Sequence, residues 1–431
     1  PMSTDNRPLA GLRVLDFTHV LAGPFATRIL ADMGADVVKI NSVQRAVGTQ
    51  DPQHPYYLMW NRNKRALALN LATDEGKSVA LELCLKADVV IDNFSAGVLD
   101  RWGIGYNAIH KQNKRAIYVQ MSGMGDGGPW SKFVTYAPTI HALSGLTHAT
   151  GVSGREDIGI GFSYNDHQAG LHGAVAVLAA IEQRHRTGIG HRVDISQFEV
   201  GVNFLGPSLL DYFANGVAAR PVGNDLPYDH AAPHGCYPCK TDPTKAHDIV
   251  GLDERWIAIA CMTDTQWSAL KAVMQHPEWA ASEDFDNVQG RLTHKRAIEE
   301  NLSAWTQEQD AYDLMQRCQA AGVPAGVVQD GADLMERDPQ LAKAKFSRPM
   351  EDVHPDLGPT WVDALPIHFN ATPCDQYQRV RVIGEDNAAV LEDWLISHWS
   401  GDLEGVGLSG AMGTWVLLCA IVGDGPISPT P

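Results

Sequence analysis

Short β-rich runs alternate with helical stretches through the first third of the chain, and this alternation limits the fold more than any other feature. Residues 12–17 read as a strand, followed by a helix over about 24–33, which Pro24 opens and Gly34 closes, and by a second strand at 37–40. These three form one βαβ unit. A helix near 75–86, a strand at 89–92 and another at 116–121 repeat the pattern, so the fold class is α/β with a doubly wound parallel sheet.

After the glycine-rich stretch Gly123–Gly128, a long helix is predicted over 167–184, with Leu171, Val175, Leu178 and Ile181 at helical spacing. It stops before Thr187-Gly188. A strand at 193–196 and a helix from Gln197 follow, and Pro and Gly then thicken between 207 and 243 in a crossover out of the first domain. At 431 residues the chain is too long for one ordinary core. The expected organisation is a large Rossmann-like domain over 1–210, a smaller α+β domain over 225–330, and an extended linker over 331–400. Pro339, Pro349, Pro355, Pro359, Pro366 and Pro373 mark that linker as it returns to the large domain, and residues 401–431 form a tail expected to be disordered.

Composition excludes several functions. With 44% hydrophobic and 20% charged residues the chain reads as globular and enzyme-like, and its net charge of −17 lacks the basic footprint that nucleic acid requires. The apolar run Trp415–Val422 is too short for a bilayer span of about 20 residues, so no membrane association is expected. Seven scattered cysteines and an opening without a secretory pattern make the cytoplasm the expected compartment. Cys236 and Cys239 have C-x-x-C spacing but no second pair nearby, so no metal site is expected.

The turn after the first strand, Thr18-His-Val-Leu-Ala-Gly-Pro24, lacks G-x-G-x-x-G, which weakens a dinucleotide reading; it still presents backbone N–H groups at a helix N-terminus to an anion. Around it, Gly11-Leu-Arg-Val-Leu-Asp-Phe-Thr-His-Val-Leu-Ala-Gly-Pro24 runs on to Leu30-Ala-Asp-Met-Gly-Ala-Asp-Val-Val-Lys-Ile40. Further motifs follow in order: Asn61-Arg-Asn-Lys-Arg65, Ala87-Asp-Val-Val-Ile-Asp-Asn-Phe94, Tyr164-Asn-Asp-His-Gln-Ala-Gly-Leu-His172, Arg186-Thr-Gly-Ile-Gly190, Gly322-Val-Pro-Ala-Gly326 and Gly384-Glu385. Over about residues 10–395 this set resembles the class III CoA-transferases of the CaiB/BaiF type, relatives of formyl-CoA and carnitine CoA-transferases.

The resemblance implies that Asp166 is the catalytic carboxylate, carrying first the acyl group as a mixed anhydride and then CoA as a thioester. By its chemistry alone Asp166 also suits an N-cap of the helix from 167. Backbone N–H groups at Ala169-Gly170 or at a His234-Gly235 turn are candidate oxyanion donors. For CoA, a substrate and not a resident cofactor, the resemblance implies Val20, Leu21, Ala22, Leu69, Asn93, Phe94, Arg101 and Tyr136, with Ala137, His234 and Gly235 on the substrate side. Lys64 and Arg65 read as surface or structural charges. The partners implied are an acyl-CoA and a carboxylic acid, dicarboxylic or aromatic, and an interlocked homodimer of ring-shaped subunits, with a heteromer of homologous chains as the alternative.

Leu21, Ala137, Asn41 and Ser42 depart from the formyl-CoA transferase pattern, which has Gln, Glu, an acidic and a basic residue there; a larger or less polar acyl group is expected. An acyl-CoA racemase or isomerase is the alternative activity, but Tyr136 and Ala137 stand where a racemase places its His-Asp pair, and His141, His148, His167 and His172 read as structural.

Overall fold

The computed structural model describes residues 5–396 apart from 229, 248–250 and 355–357. The described residues fall into two units. One gathers those up to Thr147, Gly159–Pro207 and those from Leu341 onward; the other combines His148–Ile158 with Ser208–Gln340.

The first unit is built on six strands: β1 Arg13–Asp16, β2 Asp36–Asn41, β3 Arg65–Ala68, β4 Val89–Asp92, β5 Ile117–Gln120 and β6 Arg192–Asp194. Their order is β3-β2-β1-β4-β5-β6 and every pairing is parallel. Successive strand residues face opposite sides of a sheet. Leu15, Val38, Leu67, Val90 and Tyr118 accordingly enter one core with Val390 and Trp394, while Val14, Val37, Val89, Ile91, Ile117 and Val119 enter another with Ala26, Ala169 and Val177. Both faces are covered, which is why these strands read as near-continuous apolar runs.

Two elements depart from the sequence reading. β3 was not expected, because Arg-Ala-Leu-Ala contains no β-branched residue; pairing with β2 on one side, and Asp386 and Asn387 accepting the N–H groups of Ala66 and Ala68 at 2.9 Å, hold it extended. The long helix runs Tyr164–Thr187, and Leu171, Val175 and Leu178 lie on its exposed side. Its buried side is made of small residues instead, because it packs closely on the Ala22–Asp32 helix. A Cβ on Gly170 would lie 2.7 Å from the Ala22 carbonyl oxygen, and one on Gly173 would lie 2.8 Å from the Met121 sulfur. The antiparallel pair β10 Ser347–His354 and β11 Gly358–Asp363 also belongs to this unit, where Asp363 accepts from Arg28 at 2.9 Å.

In the second unit β7 His234–His247, β8 Gly251–Ala260 and β9 Ala325–Val327 form an antiparallel sheet. The helices Asp264–Val273, Lys295–Thr306 and Ala311–Ala320 cover it around Trp267, Leu270, Ile298, Leu302 and Leu314. Cys236 and Cys239 are three apart on β7, so they face opposite sides; Cys239 is in this core. Among the described residues no helix is long and apolar enough to cross a membrane.

Candidate active site

A buried ionic knot shapes the turn between β1 and the Ala22–Asp32 helix. Asp16 accepts from the Thr18 N–H at 2.8 Å, from the Thr18 and Thr27 hydroxyls at 2.6 Å each and from Lys64 Nζ at 3.1 Å. Lys39 Nζ lies 3.7 Å from Asp16 and donates to the Thr18 carbonyl. Burial alone would raise the Asp16 carboxyl, but Lys39, Lys64 and the two hydroxyls outweigh it and hold the group well below the usual carboxylate range. Lys64 is buried, so it is a structural charge; burial lowers it to about 7 against the pull of Asp16. Just past the end of β4, Asn93 clasps His19 by accepting its N–H at 2.7 Å and donating to its carbonyl at 2.8 Å. Between these anchors Val20 is forced to a φ of 66°, a conformation that β-branched residues avoid. Such strain collects at ligand sites.

Beside this turn opens a cavity of about 540 Å³. Phe17, His19, Phe94 and Trp102 supply aromatic wall, Ile40, Leu69 and Leu71 aliphatic wall, and Arg45 and Lys77 cationic edge. His19 and Phe94 meet edge to face at 5.0 Å, and Phe94 and Trp102 at 5.7 Å. Burial, reinforced by Lys39, drives the His19 imidazole down to about 3, so it stands there neutral. Behind Phe94 the buried Asp92 accepts from the Phe94 N–H at 3.1 Å and the Tyr118 hydroxyl at 2.7 Å, and burial raises its carboxyl to about 7. Flat aromatic walls beside two cations suit a heteroaromatic base carrying phosphates. Of the residues expected to touch CoA, Leu69 and Phe94 line this cavity; Leu21 is buried at the end of the turn and Ala22 at the start of the helix after it, Asn93 holds the turn, and Arg101 is exposed at the end of the short helix Val98–Arg101. His19, Arg45, Lys77 and Trp102 escaped the sequence reading. A cation such as Arg45, at the end of the three-residue 3₁₀ turn Val43–Arg45, carries no local signal of what it faces.

Asp166 is the third residue of the Tyr164–Thr187 helix and not its N-cap, a place taken by Ser163. It is half-buried, and its Oδ2 has no hydrogen-bond partner. Burial raises the carboxyl to about 6 even though its own backbone N–H favours the ionised form. At neutral pH it is therefore ionised, with Oδ2 poorly solvated. Next to it His167 is packed among Phe25, Trp60 and Phe162 at ring separations of 5.2, 5.1 and 6.0 Å. Ala169 and Gly170 cannot serve as oxyanion donors, because at this depth in a helix their N–H groups bond carbonyls one turn back.

Tyr136 is the N-cap of the Ala137–Leu143 helix and exposed, with Ala137 the first residue of that helix. His234 and Gly235 are not in a turn: they open β7 in the second unit, paired with Ala260 and Ile259, and line a separate cavity of about 440 Å³ with Cys236 and Gln319.

A doubly wound parallel sheet, a carboxylate with one unpartnered oxygen in the first turn of a helix, and an aromatic, cation-edged cavity at the strand ends together make the arrangement of an α/β enzyme. The model for CoA-transferase family III matches residues 9–387, and the chain belongs to that family of transferases. It is 30% identical over 400 residues to the succinyl-CoA–D-citramalate CoA-transferase of Chloroflexus aurantiacus, covering 90% of this chain and 94% of that one. It is also 30% identical over 361 residues to the alpha subunit of a succinyl-CoA–L-malate CoA-transferase from Chloroflexus aurantiacus, covering 80% of this chain and 81% of that one. Among solved structures, a CAIB/BAIF family protein from Brucella suis superposes with a TM-score of 0.80 at 28% identity, over 90% of this chain and all of that one.

Proposed function

We propose that this CoA-transferase moves CoA from an acyl-CoA donor to a free carboxylic acid through covalent intermediates on Asp166. The observation that carries the reading is the Asp166 carboxylate itself, ionised at neutral pH yet with Oδ2 unsolvated and unpaired. A carboxylate oxygen whose lone pairs are not spent on hydrogen bonds, as at Oδ2, attacks a thioester carbonyl with little desolvation left to complete. Attack breaks the C–S bond and gives a mixed anhydride and CoA thiolate. The thiolate then adds to the Asp166 carbonyl carbon and expels the donor acid as its carboxylate, leaving an aspartyl-CoA thioester. The acceptor carboxylate displaces the thiolate to form a second anhydride, and the thiolate attacks the acceptor acyl carbon, which releases Asp166 and the new acyl-CoA. No net proton is transferred.

The CoA nucleotide fits the 540 Å³ cavity, with its base against Phe94 and Trp102 and its phosphates near Arg45 and Lys77. The named relatives use succinyl-CoA with D-citramalate or L-malate, which favours a dicarboxylic acid among the substrates. Self-association is supported by the apolar row Leu171, Val175 and Leu178, exposed by 43%, 65% and 37%; an interlocked homodimer is the proposed assembly, and a heteromer the alternative, since one relative is an alpha subunit.

Hydroxylamine tests the covalent step. Added with an acyl-CoA donor, it should inactivate the enzyme and leave one hydroxamate, at Asp166, in a peptide map. A hydroxamate at another carboxylate, or deuterium from solvent entering the acyl α-carbon without CoA transfer, sinks the proposal.

A further inference from the structure

The helix that carries Asp166 starts without a conventional cap, since Ser163 makes no side-chain cap hydrogen bond. First-turn N–H groups have no partner inside their own helix and must find one elsewhere. The N–H of Asn165, immediately before Asp166, donates at 3.0 Å to Nε2 of His141, 24 residues upstream. His141 lies on the Ala137–Leu143 helix and is 2% exposed. Because the partner is a donor, Nε2 must carry its lone pair, so the imidazole is neutral with its hydrogen on Nδ1. Burial acts in the same direction by disfavouring the imidazolium.

The side chain of Asn165, fully buried, is held from a different element. Its Nδ2 donates to the Gln197 carbonyl at 2.6 Å, while Gln197 Nε2 donates to the Met121 carbonyl at 3.1 Å. Gly201, on the same Gln197–Asn203 helix, sits so close that an added Cβ would lie 2.8 Å from Asn165 Oδ1. Residue 165 is thus fixed through its main chain by one helix and through its side chain by another. The Asp166 Oδ2 next to it has no partner, so its direction follows from the backbone of this first turn.

We propose that His141 is a positioning residue for the Asp166 carboxylate: by accepting the Asn165 N–H it fixes the first helical turn and so the line along which the carboxylate meets a thioester carbonyl. This rests on Asp166 being the nucleophile. A purely structural histidine would affect thermal stability and leave the folded enzyme's kcat alone, whereas a positioning one acts on kcat and not on CoA binding. Glutamine at 141 reaches about as far and has an acceptor oxygen; leucine fills similar space without one.

The test compares the full-length wild type with His141→Gln, His141→Leu and Asp166→Asn. The probe is whichever of succinyl-, acetyl- or benzoyl-CoA the wild type turns over fastest, with the three free acids as acceptors. In His141→Leu kcat should fall by about 10- to 100-fold with KM for the acyl-CoA within about twofold, and His141→Gln should restore kcat to within about threefold of wild type. An unchanged kcat in His141→Leu, an equal loss in His141→Gln, or a loss confined to KM overturns the proposal. Should the leucine variant not fold, the tautomer decides: in wild-type protein the ¹⁵N resonance of His141 Nε2, assigned by its disappearance in His141→Gln, should be that of an unprotonated ring nitrogen, and a protonated Nε2 overturns the proposal. Activity surviving in Asp166→Asn is a different failure, that of the nucleophile assignment, and is recognised as such because it does not depend on residue 141.

Discussion

Replacing Asp166 by Asn should stabilise the protein while abolishing its chemistry, and the two effects have one cause. Burial raises the Asp166 carboxyl from 3.8 to about 6. Each pKa unit corresponds to about 1.4 kcal/mol, so an ionised Asp166 costs the native state roughly 2–3 kcal/mol, an upper bound because the group is only half-buried. The sign follows from linkage. The folded-state value lies above the unfolded one, so the native state binds more proton between them. The neutral carboxyl carries no penalty below about pH 4; stability is lost as pH rises through 6 and the full cost is present at pH 7–8. Asn has the same shape and no charge to desolvate. Calorimetric unfolding of both proteins from pH 4 to 8 should therefore show little difference at pH 4 and a gain of several degrees in Tm for Asp166→Asn at pH 8, while transfer falls by about four powers of ten or more. A variant no more stable than wild type at pH 8, or stabilised equally at pH 4, would refute the claim that the native site desolvates this carboxylate.

Three other perturbations probe the surroundings. Arg45→Ala should raise KM for acyl-CoA severalfold with kcat unchanged, an effect that shrinks at high salt as exposed charges are screened; steady-state kinetics at two ionic strengths decide, and an unchanged KM removes Arg45 from the phosphate site. Val20→Asn should stabilise the protein by about 1 kcal/mol, because Asn tolerates the left-handed region that Val20 occupies at φ 66°, and a lower Tm would contradict the strain. Gly170→Ala places a Cβ 2.7 Å from the Ala22 carbonyl oxygen and should cost about 1–3 kcal/mol by denaturant unfolding, with transfer reduced as the helix shifts; full stability would mean that the two helices are not packed this closely.

Much of this architecture was legible along the chain. Strand residues such as Val37-Val38 and Val89-Val90 are apolar on both faces because helices cover both sides of the sheet, and that pattern announces a parallel α/β sheet without coordinates. The ordered motifs identified the family, and Asp166 stood out within one of them. The long helix was legible as a helix, but which side it buries was not: a close crossing selects Ala169, Gly170 and Gly173 over Leu171, Val175 and Leu178, and closeness is a property of two helices together. β3 was missed for the same kind of reason, since Arg-Ala-Leu-Ala is extended only because β2 and residues 386–387 satisfy its backbone. Only the tertiary structure gathers Arg45 and Lys77 at the edge of one aromatic cavity and sets His141 on the N–H beside Asp166. Sequence periodicity records what each residue does to its own segment. Desolvation and hydrogen bonds between segments depend on which parts of the chain meet, and these raise the Asp166 carboxyl and hold the turn that bears it.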